Sequence, residues 1–454
     1  MLKLDGSADR SGEALCSGHF QDQRSNGAVA PGEAMSAVHQ SQKITAGEQG
    51  RALWISTTAF TICFAVWTIF SIIGVRIKQE LGLSEAQFGL LIGMPILTGS
   101  LIRIVLGIWT NRYGGRLVYT VTMVAAAIST FLLAYATTFP EMLLAGLGVG
   151  IAGGSFAVGV AYVSPFFPPE KQGTALGIFG AGNVGAAVTK FLAPLVLVAY
   201  GWQTVAQVWA AGLLLTAIVF WFTTEDDPKF RARREVNQPR KSFLAEFAPL
   251  KNVQVWRFSL YYFFAFGGFV ALALWLPRYL VGVYGFNLET AGMIAAAYSI
   301  PGSIFRAYGG ALSDKIGARK IMYAMFAVSA VATLILSVPE GGTLFHITPV
   351  VFVAVTFVLG FVMSLGKAAV YKHIPAYYPD HVGAVGGVVG MMGGLGGFIL
   401  PVAFGFLKDW TGLWSSCFML LFAIVAISMV WMSASIRQFK RRAVEGSPAG
   451  AYGQ

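Results

Sequence analysis

Charge is scarce in this chain. Asp, Glu, Lys and Arg together make up 12% of its 454 residues, where soluble domains carry about 25%. With 56% of the residues hydrophobic, there is more apolar surface than one soluble core can hide, which excludes an ordinary soluble protein. Cysteine is also rare. Cys16, Cys63 and Cys417 lie far apart, which excludes a disulfide framework, a redox pair and a metal-ligand spacing; inert thiols are expected. The first 50 residues lack an apolar core segment, so they do not read as a cleaved signal peptide. Rich in Gly, Ser, Ala and Gln, they read as a disordered tail. No nucleophile–base or metal-binding constellation stands out, so an enzyme is not expected, and no cofactor is implied.

Long hydrophobic runs are what the chain has instead. A helix needs about 20 apolar residues to cross about 30 Å of hydrocarbon. Twelve such runs can be read, at roughly 54–75, 86–108, 117–137, 141–166, 174–199, 203–223, 256–280, 290–312, 320–338, 348–372, 384–407 and 413–436. The 54 glycines fit closely packed membrane helices. A net charge of +11 would suggest nucleic acid in a soluble protein. Here the basic residues collect in alternate loops: Arg112 and Arg116; Lys229, Arg231, Arg233, Arg234, Arg240, Lys241 and Lys251; Lys315, Arg319 and Lys320; Arg437, Lys440, Arg441 and Arg442. The opposite loops carry only Arg76, Lys78, Arg278 and Lys408. The positive-inside rule then puts both termini and the long central loop in the cytoplasm of a multi-pass inner-membrane protein, with lipid rather than nucleic acid as its surroundings.

The chain repeats itself. GLLIGMPILTGSLIRIVLGIWTNRYGGR, from Gly89, is echoed 203 residues later by GMIAAAYSIPGSIFRAYGGALSDKIGAR, from Gly292. Arg103 thereby matches Arg306, Gly107 matches Gly310, and Asn111 matches Asp314. A second match, at an offset of 211, joins FFPPEKQGTALGIFGAGNVG (166–185) to YYPDHVGAVGGVVGMMGGLG (377–396). Two repeated six-helix halves are the layout of many secondary transporters, with substrate bound at the midplane between them. The expected organisation is a disordered cytoplasmic tail 1–51, halves 52–223 and 256–437, a linker 224–255 and a tail 438–454. GAGNVG at 180–185 also satisfies a dinucleotide-binding pattern. That pattern needs a preceding strand and an acid about 20 residues on; here it lies within an apolar run, with the next acid at Glu225. Its glycines read instead as contact surfaces between helices of the two halves.

The loop motif G-x-x-x-[DN]-[RK]-x-G-x-[RK], present after spans two and eight, resembles that of the major facilitator superfamily, an all-α fold of twelve transmembrane helices in two pseudo-symmetric halves. Asp314 and Lys315 fit it closely, whereas Asn111, beside Arg112, stands where the family has an acid; these four are the expected gating residues. Within that superfamily the chain resembles the NarK-type nitrate/nitrite porters. Paired Arg103 and Arg306, GAGNVG in span five, GMMGGLGGF (390–398) in span eleven, and GGSF (153–156) in span four carry the likeness. It implies that Arg103, Arg306 and Asn183 bind the anion, beside Phe156, Tyr262, Phe266, Gly182 and Gly394. SLGKAAVYKHIPAYYP (364–379) resembles the branch that couples nitrate to protons.

The residues support this chemically. Arg103, Arg306, Lys190 and Lys367 sit within spans, with Lys372 near an end, and no Asp or Glu lies deep in any span. Each such charge costs at least about 2.5–3.5 kcal/mol at the bilayer centre, so the simplest missing partner is an anion that arrives and leaves. A guanidinium is always charged and donates in a planar fork, which suits a small planar oxyanion such as nitrate. Tyr262 and Phe266 are one turn apart and share a helix face. Lys190, Lys367, Lys372 and His373 are candidates to take up a proton together with the anion. The reading is a nitrate/proton symporter, working as a monomer. Nitrate/nitrite exchange, another small anion, or a transport-inactive sensor are the alternatives.

Overall fold

The structure is a computed structural model that describes residues 44–83, 85–235, 248–286, 288–339 and 347–444. Cys16 and the other residues of the expected tail before position 44, the linker residues Pro239, Arg240 and Lys241, and the end of the C-terminal tail from 445 lie outside the described residues. Among the described residues every regular element is helical. Eleven helical stretches are long and apolar enough to cross a membrane: Ala46–Gly74 (span one), Leu90–Tyr113 (two), Gly115–Leu133 (three), Phe139–Phe166 (four), Pro169–Tyr200 (five), Trp202–Thr223 (six), Val253–Leu276 (seven), Ala318–Leu336 (nine), Pro349–Tyr377 (ten), Val382–Thr411 (eleven) and Ser416–Gln438 (twelve). Leu288–Ile316 is span eight. Its 29 residues rise about 43 Å at 1.5 Å each, ample for a bilayer; Ser299, Pro301, Gly302, Ser303 and Arg306 dilute its hydropathy. The chain is a multi-pass membrane protein.

Span one begins at Ala46, well before the apolar run at 54. A capping box explains this: Thr45 accepts from the Glu48 N–H (3.2 Å), and the Glu48 carboxylate accepts from the Thr45 N–H (2.8 Å). Such a turn is polar, so hydropathy does not register it. The same device starts span four, with Thr138 and Glu141. At the matched turns into spans three and nine, Gly114 and Gly317 have φ of 89° and 92°. A side chain is strained at such angles, which explains why both copies of the loop motif place glycine there.

Two long contacts join the halves. Span two lies along span eleven, and span five along span eight. Spans three, six, nine and twelve stand outside and expose apolar side chains such as Leu132, Phe222, Val331 and Val430, as lipid-facing helices do. Among the described residues, three spans depart from α geometry. Span four contains a 3₁₀ segment, Gly150–Gly154; span five another, Ala181–Val184; span seven a π segment, Phe263–Gly268. Span one breaks between Trp67 and Phe70. The central segment, read from the sequence as linker, contains a helix, Pro228–Glu235. It lies at the bundle end that carries Arg112, Arg116, Lys171, Lys320 and the turn 378–381, called the basic end below.

Candidate functional site

The two arginines are the starting point. Arg103 from span two and Arg306 from span eight are each 1% exposed. Both guanidinium carbons approach one ring, that of Phe156 in span four, at 5.6 and 4.8 Å from its centroid. They are bonded differently. Arg103 Nε donates to the Gly153 carbonyl (3.1 Å) and Nη1 to the Gly390 carbonyl (2.6 Å), so it ties span four to span eleven across the halves. Arg306 Nε and Nη1 are buried with no protein partner. Buried donors in folded proteins are almost always paired, and a desolvated cation without an acid is costly.

An aromatic cage surrounds this pair. Tyr262 and Phe266 stack at 5.2 Å with an interplanar angle of 5°, sharing a face as their spacing predicts. Phe156 runs nearly parallel to Tyr262 (6.4 Å, 7°). Phe266 lies 5.7 Å from Arg103, and Tyr262 6.0 Å from Arg306. The Tyr262 hydroxyl and both amide atoms of Asn183 are buried without partners; Asn183 is 5% exposed. Two of the non-α segments contribute to this cage directly, since Gly153 bonds Arg103 and Phe266 lies in Phe263–Gly268; the third, Ala181–Val184 with Asn183, follows Gly180, which lies against the Arg306 guanidinium. Irregular backbone is tolerated at membrane depth where it lines protein-enclosed sites.

Two cage members escaped the sequence reading. Tyr371 of span ten meets Phe156 (4.8 Å, 77°) and Tyr262 (4.7 Å, 71°) edge-on and donates its hydroxyl to the Gly386 carbonyl (2.9 Å). Trp67 lies 5.6 Å from Arg103 and bonds the Pro95 carbonyl. Tyr371 lies in SLGKAAVYKHIPAYYP, where the two lysines dominate the pattern. Trp67 reads as an ordinary membrane aromatic.

The four coupling candidates do not come together. Lys367 is 0% exposed; its Nζ donates to the Gly302 carbonyl (2.9 Å) and sits 3.5 Å over Phe269. It therefore presses on the span-eight turn just before Arg306 instead of pointing into the cage beside Phe156. Lys372 belongs to a different system: it pairs with Asp314 at 2.6 Å. Lys190 is exposed, outside the buried cage. His373 stacks on Phe258 (5.4 Å, 3°) within the C-terminal bundle.

Asp314 bonds across the two halves, through partners other than the motif neighbours. It accepts from the N–H groups of Gly173 (3.0 Å) and Thr174 (2.6 Å) and from the Thr174 hydroxyl (2.6 Å). Thus a carboxylate of one half caps the start of span five in the other, where a helix N-terminus favours an anion. Lys315 points outward and is exposed. Arg112 Nε and Asn111 Nδ2 are buried without partners.

The glycines divide into two sets. Gly173 and Gly177 meet the span-eight backbone at Gly310 and Arg306; Gly383 and Gly387 meet span two at Gly107 and Arg103 in the same way. These are the contacts between halves, at an offset of 210. Gly182 and Gly185 of GAGNVG pack on span one, at Phe60 and Thr61, and Gly393 and Gly396 on span seven, at Tyr262 and Gly267, at an offset of 211. The expectation that the GAGNVG glycines are contact surfaces between the halves is thus corrected for Gly182 and Gly185, which pack on span one of their own half, whereas Gly180 lies against the Arg306 guanidinium of span eight. Gly394 lies against span two, where an added Cβ would overlap the Ser100 hydroxyl and be 3.4 Å from Arg103 Nη1. The slip of one residue falls across Ala181–Val184. Four residues at about 120° turn through 480° and five α residues at about 100° through 500°, so tighter winding in span five replaces one residue of span eleven.

Two repeated halves, charge buried between them and a seam bonded across at the basic end are the arrangement of a membrane carrier. A profile of the Major Facilitator Superfamily matches residues 55–339 and 284–450. A Thermus thermophilus protein named as a probable nitrate/nitrite antiporter, NarK1, is 44% identical over 410 residues, covering 85% of this chain and 91% of that one. A Bacillus subtilis nitrite extrusion protein is 32% identical (81% and 91% covered), and a Staphylococcus haemolyticus protein named as a probable nitrate transporter, NarT, 31% identical (84% and 96% covered). The proton:xylose symporter XylE superposes with a TM-score of 0.69 at 14% identity, covering 86% of this chain and 96% of that one, a likeness of fold alone. The chain belongs to the NarK-type family of the major facilitator superfamily.

Proposed function

We propose that the chain carries nitrate across the cytoplasmic membrane by alternating access of its two halves, 52–223 and 256–437, as a monomer with the basic end and both termini in the cytoplasm. One observation carries the reading: Arg306 Nε and Nη1 are buried with no protein partner, on a guanidinium whose carbon lies 6.0 Å from the ring of Tyr262, whose hydroxyl is equally unpartnered; Asn183, likewise buried and unpartnered, lies on the 3₁₀ segment that follows Gly180 at the Arg306 guanidinium. Nitrate offers three in-plane acceptors and a permanent charge. It matches guanidinium donors that cannot be deprotonated, and the parallel rings of Phe156, Tyr262 and Phe266 match its flat faces and exclude hydrated ions. The names of the relatives point the same way.

For coupling we propose proton symport through Lys367. Among the described spans it is the fully buried amine nearest the Arg306 turn, held by a carbonyl rather than an acid. Nitrate/nitrite exchange is the second reading, supported by the name of the Thermus thermophilus relative. Uptake into proteoliposomes separates them. With an imposed inward proton gradient and no internal anion, nitrate accumulates if the symport reading holds. Uptake that ignores the gradient and requires internal nitrite overturns it in favour of exchange. No uptake of either kind overturns transport altogether.

A further inference from the structure

The two seams between the halves are closed by different chemistry at the basic end. On the five–eight seam, Asp314 bonds across to Gly173 and Thr174. On the two–eleven seam the matching residue is Asn111, whose Nδ2 has no partner; the side chain that should bond across to span eleven does not.

The helix Pro228–Glu235 lies at this second seam. It is tied to the N-terminal half at its root. Asp227, 5% exposed, accepts from the Gly115 N–H (3.3 Å) at the start of span three and from the Phe230 N–H (2.9 Å). Arg231 reaches Glu48 at 3.2 Å, and Arg233 Nη2 donates to the Asn111 carbonyl (2.7 Å). Lys229 crosses to the C-terminal half. Lys229 Nζ donates to the Pro379 carbonyl and lies 3.8 Å from the Asp380 carboxylate, both on the turn leading into span eleven. Asn111, Asp227, Lys229, Arg233, Pro379 and Val382 line a single small cavity there.

We infer that this helix is the second gate of the carrier: Lys229 latches the two–eleven seam as Asp314 latches the five–eight seam, in place of the acid that Asn111 replaces. Opening the basic end draws the turn 378–381 away from the N-terminal half, so the Lys229 contacts must break in each cycle. Arg233 acts as a positioning residue that holds the helix over span two. The inference does not depend on which anion is carried.

The test uses the full-length chain in lipid nanodiscs. Cys16 is replaced by serine, and spin labels are placed on the exposed positions Lys171 and Lys320, one in each half. Because Lys229 is partly exposed and outside the membrane, Lys229→Ala should insert normally; Lys229→Gln, which keeps the length and loses the charge, is the second variant. Both should increase the long-distance, open population relative to the closed one by about tenfold, as expected for losing a charge-assisted contact made in one state only. Arg233→Ala should give a smaller shift in the same direction, and Arg234→Ala none. Unchanged distances in both Lys229 variants, or an equal shift with Arg234→Ala, would overturn the assignment.

Discussion

At the scale of single residues, the two arginines are equivalent in sequence and unequal in the structure. Arg103 already spends two donors on the Gly153 and Gly390 carbonyls, whereas Arg306 Nε and Nη1 have none to satisfy them. Arg306→Lys should therefore weaken nitrate binding the most, by roughly 10- to 100-fold for one or two lost charged hydrogen bonds. Arg103→Lys should also lower the turnover rate, since it removes the tie between spans four and eleven. Binding isotherms set against initial transport rates check this; equal loss of binding with no loss of rate in both would contradict it. Tyr371→Phe keeps the ring against Phe156 and frees the Gly386 carbonyl, about 1 kcal/mol for one neutral bond. It should change the apparent nitrate affinity by about fivefold or less, while Tyr371→Leu, which opens the cage wall, should cost far more. The arginines and the asparagine stood out as polar groups in apolar runs, while Phe156, Tyr262 and Phe266 were legible only through the family resemblance. Tyr371 and Trp67 were not, because a ring in a membrane helix looks alike whether it packs against lipid or against a guanidinium.

At the scale of elements, the seams show how helix contacts set the conformational cycle. Gly310 touches the Gly173 backbone, where a Cβ would overlap the carbonyl. Gly310→Ala should hold the basic end open, and Asp314→Asn should do the same by a different route, weakening the cap on span five. Alkylation of a cysteine placed at Thr174 should speed up in both variants; protection equal to that in the parent would show that the seam is not the barrier. The repeat offset of 203 located the arginines and the loop motif correctly, because span two and span eight are both unbroken helices in that stretch. The offset of 211 failed over half its length. A change of winding is invisible in an alignment, since it alters height and angle per residue without altering residue type. The span boundaries were blurred at capped ends for a related reason: Thr45 and Glu48 continue a helix without continuing its hydropathy.

At the scale of the whole molecule, twelve spans, two halves and the family could be read from the sequence, because apolar length and repetition survive without coordinates. The gate helix Pro228–Glu235 could not; a short basic stretch between two prolines reads as linker until its partners are seen. If the symport reading is right, Lys367→Ala in the full chain should retain nitrate binding and lose accumulation driven by a proton gradient, measured in the same vesicles; accumulation at the parent's level would remove Lys367 from the coupling path. The two halves also differ mechanically. Among the described residues, spans one, four and five carry the break and the two 3₁₀ segments; in the second half span seven carries one π segment, while spans ten and eleven are continuous α-helices. A helix that stores a residue in its winding can lengthen or shorten locally by unwinding, as a spring does; an unbroken helix transmits displacement end to end, as a lever does. The first half has such irregular places in three spans beside the arginine pair and the second in one, so the repeat that generated them has not left two interchangeable parts.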